Sequence, residues 1–107
     1  MGVITMREIL NRIGLPALLE QTAEECSELA QACLKYARLL RQENPTPKTE
    51  QECVCALMEE IADVKLCESQ LDTAGIYDYS FVLDTMADKL IRWQRRLKEQ
   101  NNADRAD

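Results

Sequence analysis

The stretch Glu24-Glu25-Cys26-Ser27-Glu28-Leu29 lies inside a segment with no helix breaker between Pro16 and about Glu43, and its setting decides how the chain reads. Leu19, Thr22, Cys26, Leu29, Cys33, Tyr36 and Leu40 recur at alternating steps of three and four. That is the seam of a long helix that packs on a partner helix. Leu18, Ala32 and Leu39 widen the apolar sector to one side. At about 100° per residue, Glu25 falls among Leu18, Leu29, Ala32 and Tyr36, and Glu28 falls at the edge of the same sector. Carboxylates inside an apolar sector are the anomaly of this chain.

A second acidic pair sits in a second long helical segment. Thr49 and Glu52 have the spacing of a capping box, so a helix should open at about Glu50, run to Thr73 and stop at Gly75. Its apolar line is Val54, Leu57, Ile61, Val64 and Leu71. Glu60 and Asp63, one turn apart, project together to one side among the small residues Cys53, Ala56, Cys67 and Ala74. Small neighbours let another backbone come close and leave room for an ion.

Working outward, Thr5 and Glu8 suggest a capping box for a short first helix, which Gly14 and Pro16 interrupt. Pro16 suits the first turn of the next helix. Asn44-Pro45-Thr46-Pro47-Lys48 reads as a loop, because two prolines cannot continue a helix. A last helix is expected from about Tyr79 to Gln100, with Phe81 or Val82, Met86, Leu90, Trp93 and Leu97 as its apolar stripe. The polar residues 101–107 are expected to fray. Gly and Pro are scarce and Ala, Leu, Glu and Gln common, so the expectation is an all-α bundle of three to four helices, a single domain over residues 1–100.

Nineteen acidic residues against 13 basic give a formal charge of -6 at pH 7. Such a balance does not suit a nucleic-acid surface, where phosphate neutralisation supplies most of the affinity. The basic residues Lys89, Arg92, Arg95, Arg96 and Lys98 nonetheless crowd together late in the chain, which suits a small polyphosphate held through a metal. Met1 to Met6 lacks the charged and apolar regions of a leader, and no apolar run approaches spanning length, so a soluble cytoplasmic protein is expected. Five cysteines, no C-x-x-C pair and no histidine argue against zinc and for buried free thiols.

Glu-x-x-Glu occurs by chance in many solvated helices, so either pair alone says little. Both pairs, however, interrupt apolar sectors, where an unpartnered carboxylate carries a desolvation cost. Four together repel one another, and a divalent cation resolves the conflict. Carboxylate oxygens without His or thiolate suit Mg²⁺, with Mn²⁺ also possible. A di-iron carboxylate bundle would need Glu-x-x-His pairs, and a calcium hand would need a glycine-turned loop.

The string from Glu24 to Leu29, followed by Glu60-Ile61-Ala62-Asp63-Val64 and by the basic Lys89-Leu90-Ile91-Arg92-Trp93-Gln94-Arg95-Arg96, resembles the MazG-like all-α nucleoside triphosphate pyrophosphohydrolases across roughly residues 16 to 97. What that resemblance implies is hydrolysis of a (deoxy)nucleoside triphosphate to monophosphate and pyrophosphate in nucleotide-pool housekeeping, by a homodimer or homotetramer. It implies Glu25, Glu28, Glu60 and Asp63 as metal ligands and catalytic carboxylates, and Lys89, Arg92 and Arg96 as phosphate contacts. Glu24 is left exposed or behind the ligands, and which carboxylate acts as base stays open. Trp93 stands where many members have Asn, and the gap between the acidic motifs is longer than usual. Two other readings remain: a non-enzymatic helical interaction protein that keeps the fold, and an enzyme resembling phosphoribosyl-ATP pyrophosphatase.

Overall fold

A computed structural model describes residues 2–43 and 47–106. Met1, Asp107 and the loop residues Asn44, Pro45 and Thr46 lie outside the described residues. Those described are helical with no strand, in the order α1 (Met6–Ile13), α2 (Leu15–Arg41), α3 (Glu50–Thr73) and α4 (Tyr79–Ala106). The chain divides into a unit that ends at Ile76 and holds α1 to α3, and a second that begins at Tyr77 and consists of α4.

Local chemistry accounts for the helix boundaries. The Thr5 hydroxyl accepts from the Glu8 amide at 3.1 Å and opens α1. At Gly14, φ is 81°, where a side chain would be strained, and this glycine ends α1 and precedes α2. Pro16 occupies the first turn of α2, as its missing donor permits. Gln42, at φ 57°, closes α2 with its amide bonded back to Leu39 O at 3.2 Å. Both halves of the capping box are made at α3: the Glu52 amide reaches Thr49 Oγ1 at 3.1 Å, and Glu52 Oε1 accepts from the Thr49 amide. In the second unit, the Asp78 carboxylate accepts from the Phe81 amide at 3.1 Å and starts α4. That helix continues to Ala106 instead of stopping near Gln100, because residues 101–106 are polar but include no Gly or Pro.

In the first unit α2 and α3 pack along their length and α1 packs against both. Tyr36 meets Glu50 at one end and Thr22 meets Cys67 at the other, so α2 and α3 run antiparallel. The buried and half-buried positions of α2 include Leu18, Thr22, Glu25, Leu29, Ala32, Tyr36 and Leu39. Those of α3 and its C-cap include Cys53, Leu57, Glu60, Val64, Cys67, Leu71 and Ala74. Each series alternates steps of four and three, the signature of a coiled-coil seam, and each carries a glutamate near its middle. Leu18 is fully buried at one end of this seam.

The seam is therefore displaced from the one expected. Thr22, Leu29 and Tyr36 belong to it, but Leu19, Cys26, Cys33 and Leu40 are exposed, and Leu18, Glu25, Ala32 and Leu39 take their places. On α3, Ile61 is 37 % exposed and Glu60 faces inward in its stead. Both helices have apolar sectors wider than one partner can cover, so the outer half of each stays uncovered within the first unit. The cysteines are all free, with Cys53 and Cys67 buried; Cys26, Cys33 and Cys55 are exposed, contrary to the expectation of uniformly buried thiols. No helix among the described residues is long and apolar enough to cross a membrane.

Candidate metal centre

Glu25, Glu28, Glu60 and Asp63 converge. One carboxylate oxygen from each lies within 4.8 Å of the others. Their arrangement follows from helix periodicity: Glu25 and Glu60 occupy seam positions, and Glu28 and Asp63 stand one turn further on at the rim. The inner pair is half-buried and the outer pair exposed. Glu24 is exposed and outside the cluster, as its helical angle requires.

The inner carboxylates are electrostatically uncomfortable. Glu25 Oε2 and Glu60 Oε2 are shielded from solvent and have no hydrogen-bond partner. Loss of hydration raises the pKa of Glu25 above its ordinary value, and the negative charges of Glu28, Asp63 and Glu60 raise it further. Glu60 is raised for the same reasons, first by desolvation and then by Glu28 and Asp63. An oxygen that has given up water without gaining a donor needs a cation or a proton.

The donor set fits a hard divalent ion: four carboxylates, two of them open to solvent, where waters or a ligand can complete the shell. The nearby thiol does not compete. Cys67 is buried on the next turn of α3; burial raises its pKa, an effect partly offset by its hydrogen bond with Thr22, and the charges of Glu25 and Asp63 raise it again. A thiol held in its neutral form is a poor ligand, so the site offers oxygen and not sulfur.

Beside the carboxylates α2 and α3 enclose a cavity of about 350 Å³, lined by Glu28, Gln31 and Lys35 on one side and Lys48, Ala56 and Glu60 on the other. The small side chains of Ala32 and Cys53 complete its lining. Neither lysine was singled out from the sequence. Lys35 carried one usable signal, its position two turns beyond Glu28 on the same helix face. For Lys48 the register of α3 on α2 had to be known first.

Lys89, Arg92 and Arg96 are brought together on one exposed face of α4, in a shallow depression that also includes Met86, Leu90 and Trp93. They belong to the second unit and the carboxylates to the first. Trp93 is 60 % exposed, so it is not a core residue of its own unit. No model of a known protein family, no curated protein and no solved structure matches the chain.

Proposed function

We propose that this chain is a divalent-metal-dependent nucleoside triphosphate pyrophosphohydrolase of the MazG-like all-α kind, converting a (d)NTP to the monophosphate and pyrophosphate. The observation that carries the reading is the convergence of four carboxylates within 4.8 Å, two of them with a buried oxygen that lacks any donor. Solvated acidic faces do not strand oxygens in this way.

Glu25 and Glu60 would hold the ion from the seam, with Glu28 and Asp63 completing the set from the rim. When bound, Mg²⁺ or Mn²⁺ supplies the positive charge that lets a polyphosphate approach four carboxylates and makes a neighbouring water more acidic. The outer carboxylates are the ones that solvent reaches, and in this reading Glu28 or Asp63 would accept the proton of an attacking water. Lys89, Arg92 and Arg96 are cationic groups suited to the charge that grows on a leaving pyrophosphate.

Oligomerisation as a homodimer or homotetramer is part of the proposal. Leu19, Leu34 and Leu40 on α2 are exposed, as are Phe81, Met86, Leu90 and Leu97 on α4, an amount of apolar surface that suits an interface. These same surfaces suit the rival reading, a helical interaction protein without activity. The deciding experiment incubates the protein with Mg²⁺ and a panel of dNTPs, NTPs and phosphoribosyl-ATP, and identifies the products. Pyrophosphate release from a nucleoside triphosphate, lost in Glu60→Gln, supports the proposal. No pyrophosphate from any of them leaves the interaction protein, and release from phosphoribosyl-ATP alone redirects the assignment to that substrate.

A further inference from the structure

The cavity beside the carboxylates joins two groups of opposite charge. Glu28 and Glu60 line one part of it, and Lys35 and Lys48 another. Along α2, Lys35 stands seven residues past Glu28, about 10 Å along the axis and on nearly the same face. A lone ion held by the carboxylates does not span that gap, whereas a chain of phosphates that leads away from the ion does.

Lys35 lies on α2 and Lys48 in the segment just before the Thr49 cap of α3, and a specific contact brings the two to one cavity. The Tyr36 hydroxyl donates to Glu50 Oε1 at 2.7 Å, tying the later turns of α2 to the first turn of α3. Lys35 adjoins Tyr36, and Lys48 adjoins the Thr49 cap of α3. Among the described residues neither lysine takes part in an ion pair, although carboxylates are abundant in this chain. Their charge is thus free to meet an anion. The small lining side chains Ala32, Cys53 and Ala56 leave them room to do so.

We propose that Lys35 and Lys48 form the phosphate-binding arm of the acidic site and contact the oligophosphate of the substrate at the end away from the metal-holding carboxylates. This rests on the nucleoside triphosphate reading given above and adds two substrate-binding residues, on the same unit as the carboxylates. Lysine presents a compact charge with three donors, suited to phosphate oxygens in varied geometry. The predicted ligand chemistry is an extended phosphoanhydride that also accepts a divalent ion.

The test is calorimetric titration of the full chain with inorganic pyrophosphate in the presence and absence of Mg²⁺, for wild type, Lys35→Gln/Lys48→Gln and Lys35→Arg/Lys48→Arg. The Mn²⁺ affinity of each is measured alongside, and nucleotide hydrolysis by the wild type. The expected result is Mg²⁺-dependent binding that weakens about ten-fold or more in the glutamine variant, the scale of a lost charge-assisted contact. Mn²⁺ affinity should stay at the wild-type level, and the arginine variant should recover most of the pyrophosphate affinity. Binding by the glutamine variant equal to wild type overturns the inference and leaves the hydrolase reading in place. A wild type that neither binds pyrophosphate nor hydrolyses any nucleotide overturns both.

Discussion

Glu25 and Glu60 face each other across the α2–α3 seam, each in a position where a coiled coil would place an apolar side chain, and each with an Oε2 that no donor reaches. Helix pairing brings the two together, and their charges oppose it. The fold is thus arranged around a pair of side chains that weaken it unless something positive lies between them.

The first consequence is a trade between stability and activity. Glu60→Gln removes one of the repelling charges and supplies an amide donor for Glu25, so the metal-free protein should melt at a higher temperature than wild type. Pyrophosphohydrolysis should fall about a hundredfold or more, since loss of a partner one shell beyond a metal already costs about 10–100-fold. Thermal scans with chelator check the first part and initial rates the second. A lower melting temperature for the metal-free variant would show that Glu60 is satisfied in the fold, against this account.

The pH dependence follows from the same pair. Folding raises the pKa of Glu25 and Glu60 above the ordinary 4.5, so the folded chain binds more protons than the unfolded one in the window above that value. Their contribution to stability is fully present below pH 4.5 and is lost as the pH rises through their raised values. Denaturant midpoints of metal-free wild type, compared with Glu25→Gln/Glu60→Gln from pH 4 to 8, should therefore diverge with rising pH, with wild type falling behind. Parallel curves would mean that neither carboxylate is perturbed.

Glu24 provides an internal control. It neighbours Glu25 in sequence but is exposed and outside the cluster. Glu24→Gln should leave metal affinity and turnover within about two-fold of wild type, as for surface substitutions away from a site. Glu28→Gln, three residues from Glu25 and within the cluster, should lose most of both. Equal effects at the two positions would indicate that only the net charge of the block matters.

Leu18 reports on the hairpin itself. Among the described residues it is the one fully buried large side chain, at the end of the seam near α1. Leu18→Ala should cost about 2–5 kcal/mol in urea unfolding, much of the stability of a domain this size. A loss below about 1 kcal/mol would place the core elsewhere.

Much of this was legible in the sequence, for reasons that particular residues make plain. Thr5, Pro16, Thr49 with Glu52, and Gly75 set most helix ends because each acts through its own backbone or through hydrogen bonds within three residues. The acidic cluster was legible because Glu-x-x-Glu and Glu-x-x-Asp put two carboxylates on one face of each helix. The seam was not. With apolar residues at both 18 and 19, 32 and 33, and 39 and 40, periodicity alone allows either of two adjacent stripes to face α3, and packing chose the one that contains Glu25. The lysines of the cavity depend on that choice and on the register of α3, which no local pattern encodes.

Whether Glu25, Glu28, Glu60 and Asp63 form one cation site is decided by titrating Mn²⁺ into the metal-free protein and following free Mn²⁺ by electron paramagnetic resonance. Binding should be saturable, displaced by Mg²⁺ and absent in Glu25→Gln/Glu60→Gln. Binding of the same strength in that double variant would contradict such a site.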